Sequence, residues 1–90
     1  MSETNERTRG MKTLDELKVG ESAVVVRLGG AGPLRRHLMD LGLIGNTPLK
    51  LVKVAPLGDP MELMVRGYSL SIRKEEARIV EVRPLDDPLP

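Results

Sequence analysis

The chain has 90 residues, a formal net charge of +1, and no cysteine, tryptophan or phenylalanine. This length provides one small domain with a modest core. The interspersed charges exclude a broad field for attracting nucleic acid, and a single aromatic residue, Tyr68, excludes stacking surfaces for bases or proline-rich peptides.

The sequence contains no apolar run near the ~20 residues that a membrane-spanning helix needs. It also has no apolar segment typical of a secretory signal near Met1. The lack of cysteine fits a reducing compartment. We therefore expect a soluble, cytoplasmic protein that does not insert directly into a membrane.

The two ends of the chain are polar or rich in proline. Residues 1–10 have no apolar side chain after Met1, which predicts a disordered tail, and residues 84–90 predict a second, loose tail. The ordered domain is expected to span residues 11–83. It begins with a capping-box pattern, in which Thr13 and Glu16 flank a single helical turn.

Short segments rich in β-branched or alternating apolar residues predict five strands: Glu21–Leu28, Thr47–Ala55, Met61–Arg66, Tyr68–Arg73 and Ile79–Arg83. In the first strand, we expect Val24, Val26 and Leu28 to share the buried face. In the second, the apolar pattern changes phase between Leu51 and Val52, which indicates a bulge.

The longest helical signal follows the first strand. A glycine-rich segment precedes Pro33, which suits the first helical position, and Gly42 suits a left-handed position at the helix end. One apolar stripe recurs at i, i+4 and i+7 and comprises Leu34, Leu38 and Leu41. The pattern predicts an amphipathic helix of roughly nine or ten residues.

The outer face of this helix has an unusual charge order. Arg35 and Arg36 lie in the first turn and Asp40 in the last, so each charge opposes the helix dipole. This placement suggests that the arginines contact something outside the domain, although two solvated arginines are the alternative. The segment Gly29–Gly32 could seat an anion on free N–H groups, but we favour a hinge.

Other polar residues do not form a recognisable chemical site. His37 and Asp40 could touch one metal ion, but two ligands make a poor transition-metal site, so a histidine at the core boundary is favoured. No cofactor is expected, and a divalent metal ion is supported only by this pair. Catalysis needs a nucleophile with its base or paired carboxylates in a pocket, and the sequence offers neither, so we expect no enzyme.

Together, these elements predict a mainly β fold: a small, partly open SH3-like barrel of about five strands, with one inserted amphipathic helix and short helical turns. The helix would cover an open end or face of the barrel. A fold alone does not determine a function.

With those residues identified, the chain resembles the FeoA family, small cytosolic accessory proteins of bacterial ferrous iron transport. The resemblance covers about Leu14 to Val82. It depends on four motifs: Leu17-x-x-Gly20, the run from Arg36 to Gly42, the run from Val52 to Pro60, and Leu70-x-Ile72-Arg73-Lys74-x-Glu76-Ala77-x-Ile79-x-x-Val82. Within the third motif, Ala-Pro-Leu-Gly-Asp-Pro between two strands is the most specific part.

The resemblance implies an SH3-like barrel whose partner is FeoB, a membrane protein with a cytosolic GTP-binding domain. The protein would then regulate or support Fe(II) uptake, recruited through FeoB to the inner face of the membrane. On physical grounds, we expect the contact surface to combine the exposed side of the helix with the rigid turn after the second strand: Arg35, Arg36, Met39, Asp40, Pro56, Leu57, Gly58 and Asp59.

Two other functions stay open. The first is a free-standing metal-sensing or regulatory domain related to the C-terminal domain of DtxR-like iron-dependent repressors, which would bind Fe(II) or another divalent metal. The second, a nucleic-acid-binding barrel, is disfavoured by the near-neutral charge and the lack of aromatics. Self-association through Met39 and Met64 is also open.

Overall fold

The computed structural model of the protein describes residues 11–85. The predicted tail at residues 1–10, and residues 86–90 of the tail predicted at 84–90, lie outside them. In chain order the elements are β1 (Lys12–Thr13), a 3-10 turn (Leu14–Glu16), β2 (Ser22–Leu28), α1 (Gly32–Asp40), β3 (Pro48–Val54), β4 (Met61–Val65), β5 (Tyr68–Ile72), α2 (Lys74–Ala77) and β6 (Val80–Pro84).

The strands form a single antiparallel sheet in the order β1-β6-β2-β3-β4-β5. The predicted mainly β fold with one inserted helix is confirmed, but the sheet has six strands and not about five. The additional strand is β1, in which Lys12 pairs with Val82 and Thr13 with Glu81. A two-residue strand of Lys12 and Thr13 has no apolar alternation that would predict it. It becomes a strand only by pairing with β6.

The last strand also ends later than the sequence predicted. Pro84, assigned to the loose tail, is the final residue of β6 and lies opposite Ala23. The N–H of Leu85 donates to the carbonyl of Ser22 (2.9 Å). Proline cannot donate a hydrogen bond, but at the end of a strand that loss is tolerated.

Two irregularities allow the sheet to curl. The β3–β4 register shifts between Leu51 and Lys53, which confirms the predicted bulge, and Val52 is accordingly exposed. A second shift occurs in the β2–β6 pair, between Val25 and Arg27. Each bulge bends its strand and increases the local twist, so one sheet can wrap around a small core.

The buried face of β2 differs from the prediction. Ala23 and Val25 are fully buried, whereas Val24 and Val26 are only partly buried. A run of consecutive valines has no alternation that selects a phase, so its two faces are equivalent in sequence. The bulge after Val25 then returns Leu28 to the edge of the core.

The core is built from aliphatic side chains of both the strands and the helical elements. The strands contribute Leu49, Leu51 and Leu63, and α1 contributes Leu38, each with no exposed surface. The helical elements add further fully buried residues, including Leu14 and Ala77. Helix α2 links edge strand β5 to β6 in the sheet interior, and it packs against the 3-10 turn.

Candidate partner-binding surface

Helix α1 forms and ends as its sequence predicts. Pro33 lies in the first turn, Leu38 is fully buried, and Gly42 adopts a left-handed φ of 100° just beyond the helix. The helix is also fixed at its C-terminal end by the Tyr68 hydroxyl, which donates to the Leu41 carbonyl oxygen (2.7 Å). A rigid helix therefore presents its outer face to solvent.

That outer face brings together four of the predicted contact residues: Arg35, Arg36, Met39 and Asp40. All four are exposed. With Gly30–Gly32 they line an open depression of about 410 Å³. The two glycines at its margin, Gly30 and Gly32, have left-handed φ values of 67° and 77°.

The charges on this face are not neutralised within the domain. Arg35 donates through Nη1 to the Sδ atom of Met39 (3.5 Å), which lies one helical turn further on. Arg36 and Asp40 are spaced for an i, i+4 pair, but neither has an ion-pair partner within residues 11–85. The helix thus presents an unpaired guanidinium in its middle and an unpaired carboxylate at its last residue.

The loop between β3 and β4, residues 56–60, is compact. The N–H of Ala55 donates to the carbonyl of Pro60 (3.0 Å), and Gly58 has a φ of 91°. The Leu57 side chain at its tip is 97% exposed. A large apolar side chain held in solvent by a closed loop is available for contact with a partner.

Within this loop, the carboxylate of Asp59 already has a structural role. Its Oδ1 atom accepts a hydrogen bond from the backbone N–H of Lys74 (3.0 Å), the first residue of α2. Free N–H groups at a helix start need such acceptors. Asp59 therefore links the loop to α2. Leu57, in contrast, extends into solvent.

A second depression joins the loop to α1, which the sequence did not predict. His37 and Pro60 line it with Arg73 and Glu76, and its volume is about 340 Å³. These residues are far apart in the chain, so no local pattern could have grouped them. His37 thus lies between the helix surface and the base of the loop.

Metal ligands are sparse in the described part of the chain. Within residues 11–85, no group of three or more His, Asp or Glu side chains is placed to hold a metal ion. His37 and Asp40 are both exposed and have no third ligand there.

Within residues 11–85, no helix has the length and apolar character required to cross a membrane.

Comparison with known proteins identifies the family. The model of the FeoA domain family matches residues 12–84, which is most of the chain. The chain belongs to the FeoA domain family. The resemblance inferred from the sequence motifs is therefore confirmed.

A relative from Porphyromonas gingivalis (strain ATCC BAA-308 / W83) is an Fe(2+) transport protein A/Fe(2+) transporter FeoB fusion protein. It is 36% identical to this FeoA chain over 69 residues, which cover 77% of the chain. The match spans only 8% of the fusion protein's own length. The FeoA-like segment is thus a small part of a much longer polypeptide.

Two solved structures are similar to the chain. An FeoA-like protein from Clostridium acetobutylicum is 34% identical, with a TM-score of 0.80 and coverage of 89% of this chain and 93% of that one. FeoA from Stenotrophomonas maltophilia, complexed with zinc and described as a prokaryotic SH3 domain protein, is 29% identical, with a TM-score of 0.70 and coverage of 79% and 88%. The predicted SH3-like fold is confirmed.

Proposed function

We propose that this FeoA domain supports ferrous iron transport by binding the cytosolic part of a FeoB-like membrane GTPase. The observation that carries the proposal is the fusion protein, in which a segment 36% identical to this chain is joined to FeoB. Covalent linkage holds two modules at high effective concentration, which favours partners that act in contact. Binding would recruit the domain to the inner face of the membrane.

The proposed contact surface has two parts: the outer face of α1 and the tip of the 56–60 loop. The unpaired Arg36 and the arginine beside it, Arg35, would face carboxylates of the partner. Met39 and Leu57, which are 42% and 97% exposed, would supply the apolar contacts. Arginine with apolar anchors is typical of contact residues that dominate protein interfaces.

The loop is supported as a partner contact mainly through Leu57. Its neighbours Pro56 and Gly58 shape the turn and hold this side chain out, whereas Asp59 is occupied by the N–H of Lys74. We therefore expect truncation of Leu57 to weaken binding, and substitution of Asp59 to act through loss of loop structure. His37 and Pro60 would lie between the two parts of the surface.

The test is a binding measurement between the intact chain and the purified cytosolic domain of a FeoB-like transporter, with and without guanine nucleotide. Arg35→Glu combined with Arg36→Glu should weaken binding by at least about tenfold, because like charges then oppose across the interface. Lys50→Glu combined with Arg66→Glu changes the net charge equally on a different face and is the matched control.

The possible outcomes distinguish an error in the proposed function from an error in the proposed contact surface. If the wild-type chain fails to bind this cytosolic domain in either nucleotide state, the proposed function is wrong. If the wild type binds and reversal of Arg35 and Arg36 changes nothing, the assignment to α1 is wrong. If both double variants lose binding equally, the effect is one of overall charge and again does not support α1.

A further inference from the structure

The outward face of the sheet carries a groove that the proposed function does not use. We call it the β3–β4 groove, and its principal side chains are Pro48, Lys50, Val52, Met64 and Arg66, around a volume of about 620 Å³. Lys50 and Met64 are directly opposite in the register and therefore point to the same face. Their neighbours Leu49, Leu51, Leu63 and Val65 point into the core.

Three of the side chains that line this groove are apolar and partly open to solvent. Val52 and Met64 are 36% and 39% exposed, and Pro48 is partly exposed. Val52 reaches this position because of the bulge in β3. Contiguous exposed apolar side chains on a sheet face, flanked by polar ones, commonly mark an interaction site.

The cations beside the groove have no carboxylate partners in the described part of the chain. Within residues 11–85, the ion pairs engage Lys12, Arg27 and Lys53, and not Lys50 or Arg66. Both cations are among the residues that line the groove. The groove thus combines apolar side chains with two positive charges that the domain does not neutralise: Lys50 lies opposite Met64, and Arg66 follows the last residue of β4.

A third unpaired cation extends the same face. Arg83 of β6 lies opposite Val24, and Val24 lies opposite Pro48, so the three form one row across neighbouring strands. Two strand spacings place Arg83 about 10 Å from Pro48. Within residues 11–85, Arg83 has no ion-pair partner either.

We propose that the β3–β4 groove binds an acidic protein segment that carries apolar side chains. Pro48, Val52 and Met64 would contact one or two aliphatic side chains of the segment, and Lys50, Arg66 and Arg83 would meet its carboxylates. The charge pattern of the groove is complementary to such a segment. This site lies on the sheet face, whereas the FeoB surface proposed above lies on α1 and the 56–60 loop.

A peptide fits the groove better than a membrane or a nucleic acid does. Glu62 and Glu81 lie on the same outward face, in pairs with Lys53 (4.0 Å) and Arg27 (3.1 Å). These carboxylates would approach the phosphates of any broad anionic surface laid across the sheet. A narrow segment avoids them by following the groove.

The test uses the intact chain, isotopically labelled, and a short synthetic peptide in which leucines alternate with aspartate pairs. We expect amide NMR shifts to change along residues 49–52 and 64–67, and not along α1. Lys50→Glu combined with Arg66→Glu should weaken this binding by at least about tenfold. Arg35→Glu combined with Arg36→Glu is the control of equal charge and should leave peptide binding unchanged.

Two further probes and the oligomeric state of the chain complete the experiment. A peptide with asparagine in place of each aspartate should bind far more weakly, whereas equal binding would overturn the charge argument. Phosphatidylglycerol vesicles that compete with the peptide for the groove would overturn the choice of a peptide, and a dimer formed through Met64 would assign the groove to a second copy of the chain. If the acidic peptide causes no shifts on this face, the proposal is wrong, and the FeoB test is unaffected.

Discussion

Substitution of Gly42 by alanine should destabilise the domain through two separable effects. Gly42 has a φ of 100°, and a Cβ atom placed there would lie 2.8 Å from the hydroxyl oxygen of Tyr68. That hydroxyl is the one that donates to the Leu41 carbonyl at 2.7 Å. Alanine therefore imposes backbone strain and also displaces the tyrosine from its hydrogen bond.

The two effects have different magnitudes. A left-handed conformation costs an alanine about 1–2 kcal/mol, and loss of the Tyr68 hydrogen bond adds about 1 kcal/mol. Gly42→Ala should thus lower the free energy of unfolding by about 2–3 kcal/mol, or the Tm by roughly 10–20 °C for a domain of this size. Gly58→Ala is the control for strain alone, because Gly58 has a φ of 91° and an added Cβ atom would meet nothing within 4 Å.

A double-mutant cycle tests the contact directly. Tyr68→Phe removes both the hydrogen bond and the obstacle, so the double variant should lose only about 2–3 kcal/mol, with a coupling of about 1 kcal/mol. Unfolding in urea, followed by far-UV circular dichroism because tryptophan is absent, provides the free energies. Strict additivity, or equal costs for Gly42→Ala and Gly58→Ala, would refute the contact.

Three further substitutions test the core and the loop by the same urea assay. Thr47→Val should stabilise the domain by about 1 kcal/mol, because the buried hydroxyl has no partner within residues 11–85; a clear loss of stability would contradict this. Leu38→Ala should lower the free energy of unfolding by about 2–5 kcal/mol, because the Leu38 side chain is fully buried between α1 and the sheet. A decrease of less than about 1 kcal/mol would mean that Leu38 does not anchor α1 to the sheet. Asp59→Ala should lower the free energy of unfolding by about 1 kcal/mol, because the Lys74 N–H loses its acceptor. Hydrogen exchange of the Lys74 amide should become faster, and unchanged protection of this amide would contradict the prediction.

The elements with a strong local signal could be predicted from the sequence. The leucine stripe predicted α1, and the phase change at Val52 predicted the bulge in β3. The β4–β5 hairpin was also evident, because apolar residues alternate on both sides of Gly67. Its two turn residues, Arg66 and Gly67, have φ values of 50° and 87°, as a two-residue hairpin turn with the twist of the strands requires.

The wrong predictions concern features that depend on contacts between distant parts of the chain. Strand β1 exists because Lys12 and Thr13 find partners in β6, and β2 buries Ala23 and Val25 because of its register with neighbouring strands. A local pattern does not contain that information. Tertiary pairing decides which face of a valine run is buried.

The same limit applies to the candidate surface. The cluster on α1 could be predicted because i, i+1, i+4 and i+5 spacing places Arg35, Arg36, Met39 and Asp40 side by side on a helix. The depression shared by His37 and Pro60 could not, since it requires the loop to approach the helix. The groove beside Met64 was equally hidden, because Lys50 and Arg66 become neighbours only through the β3–β4 register.

The position of β6 has a consequence for how the domain is made. This strand is the last of the domain to be synthesised, yet it lies between β1 and β2 and supplies the fully buried Val80 and Val82. A nascent chain that ends before it has an unpaired edge on β2 and an incomplete core. The domain should therefore fold only once residues 80–84 have left the ribosome, in a late and cooperative step dominated by long-range pairing.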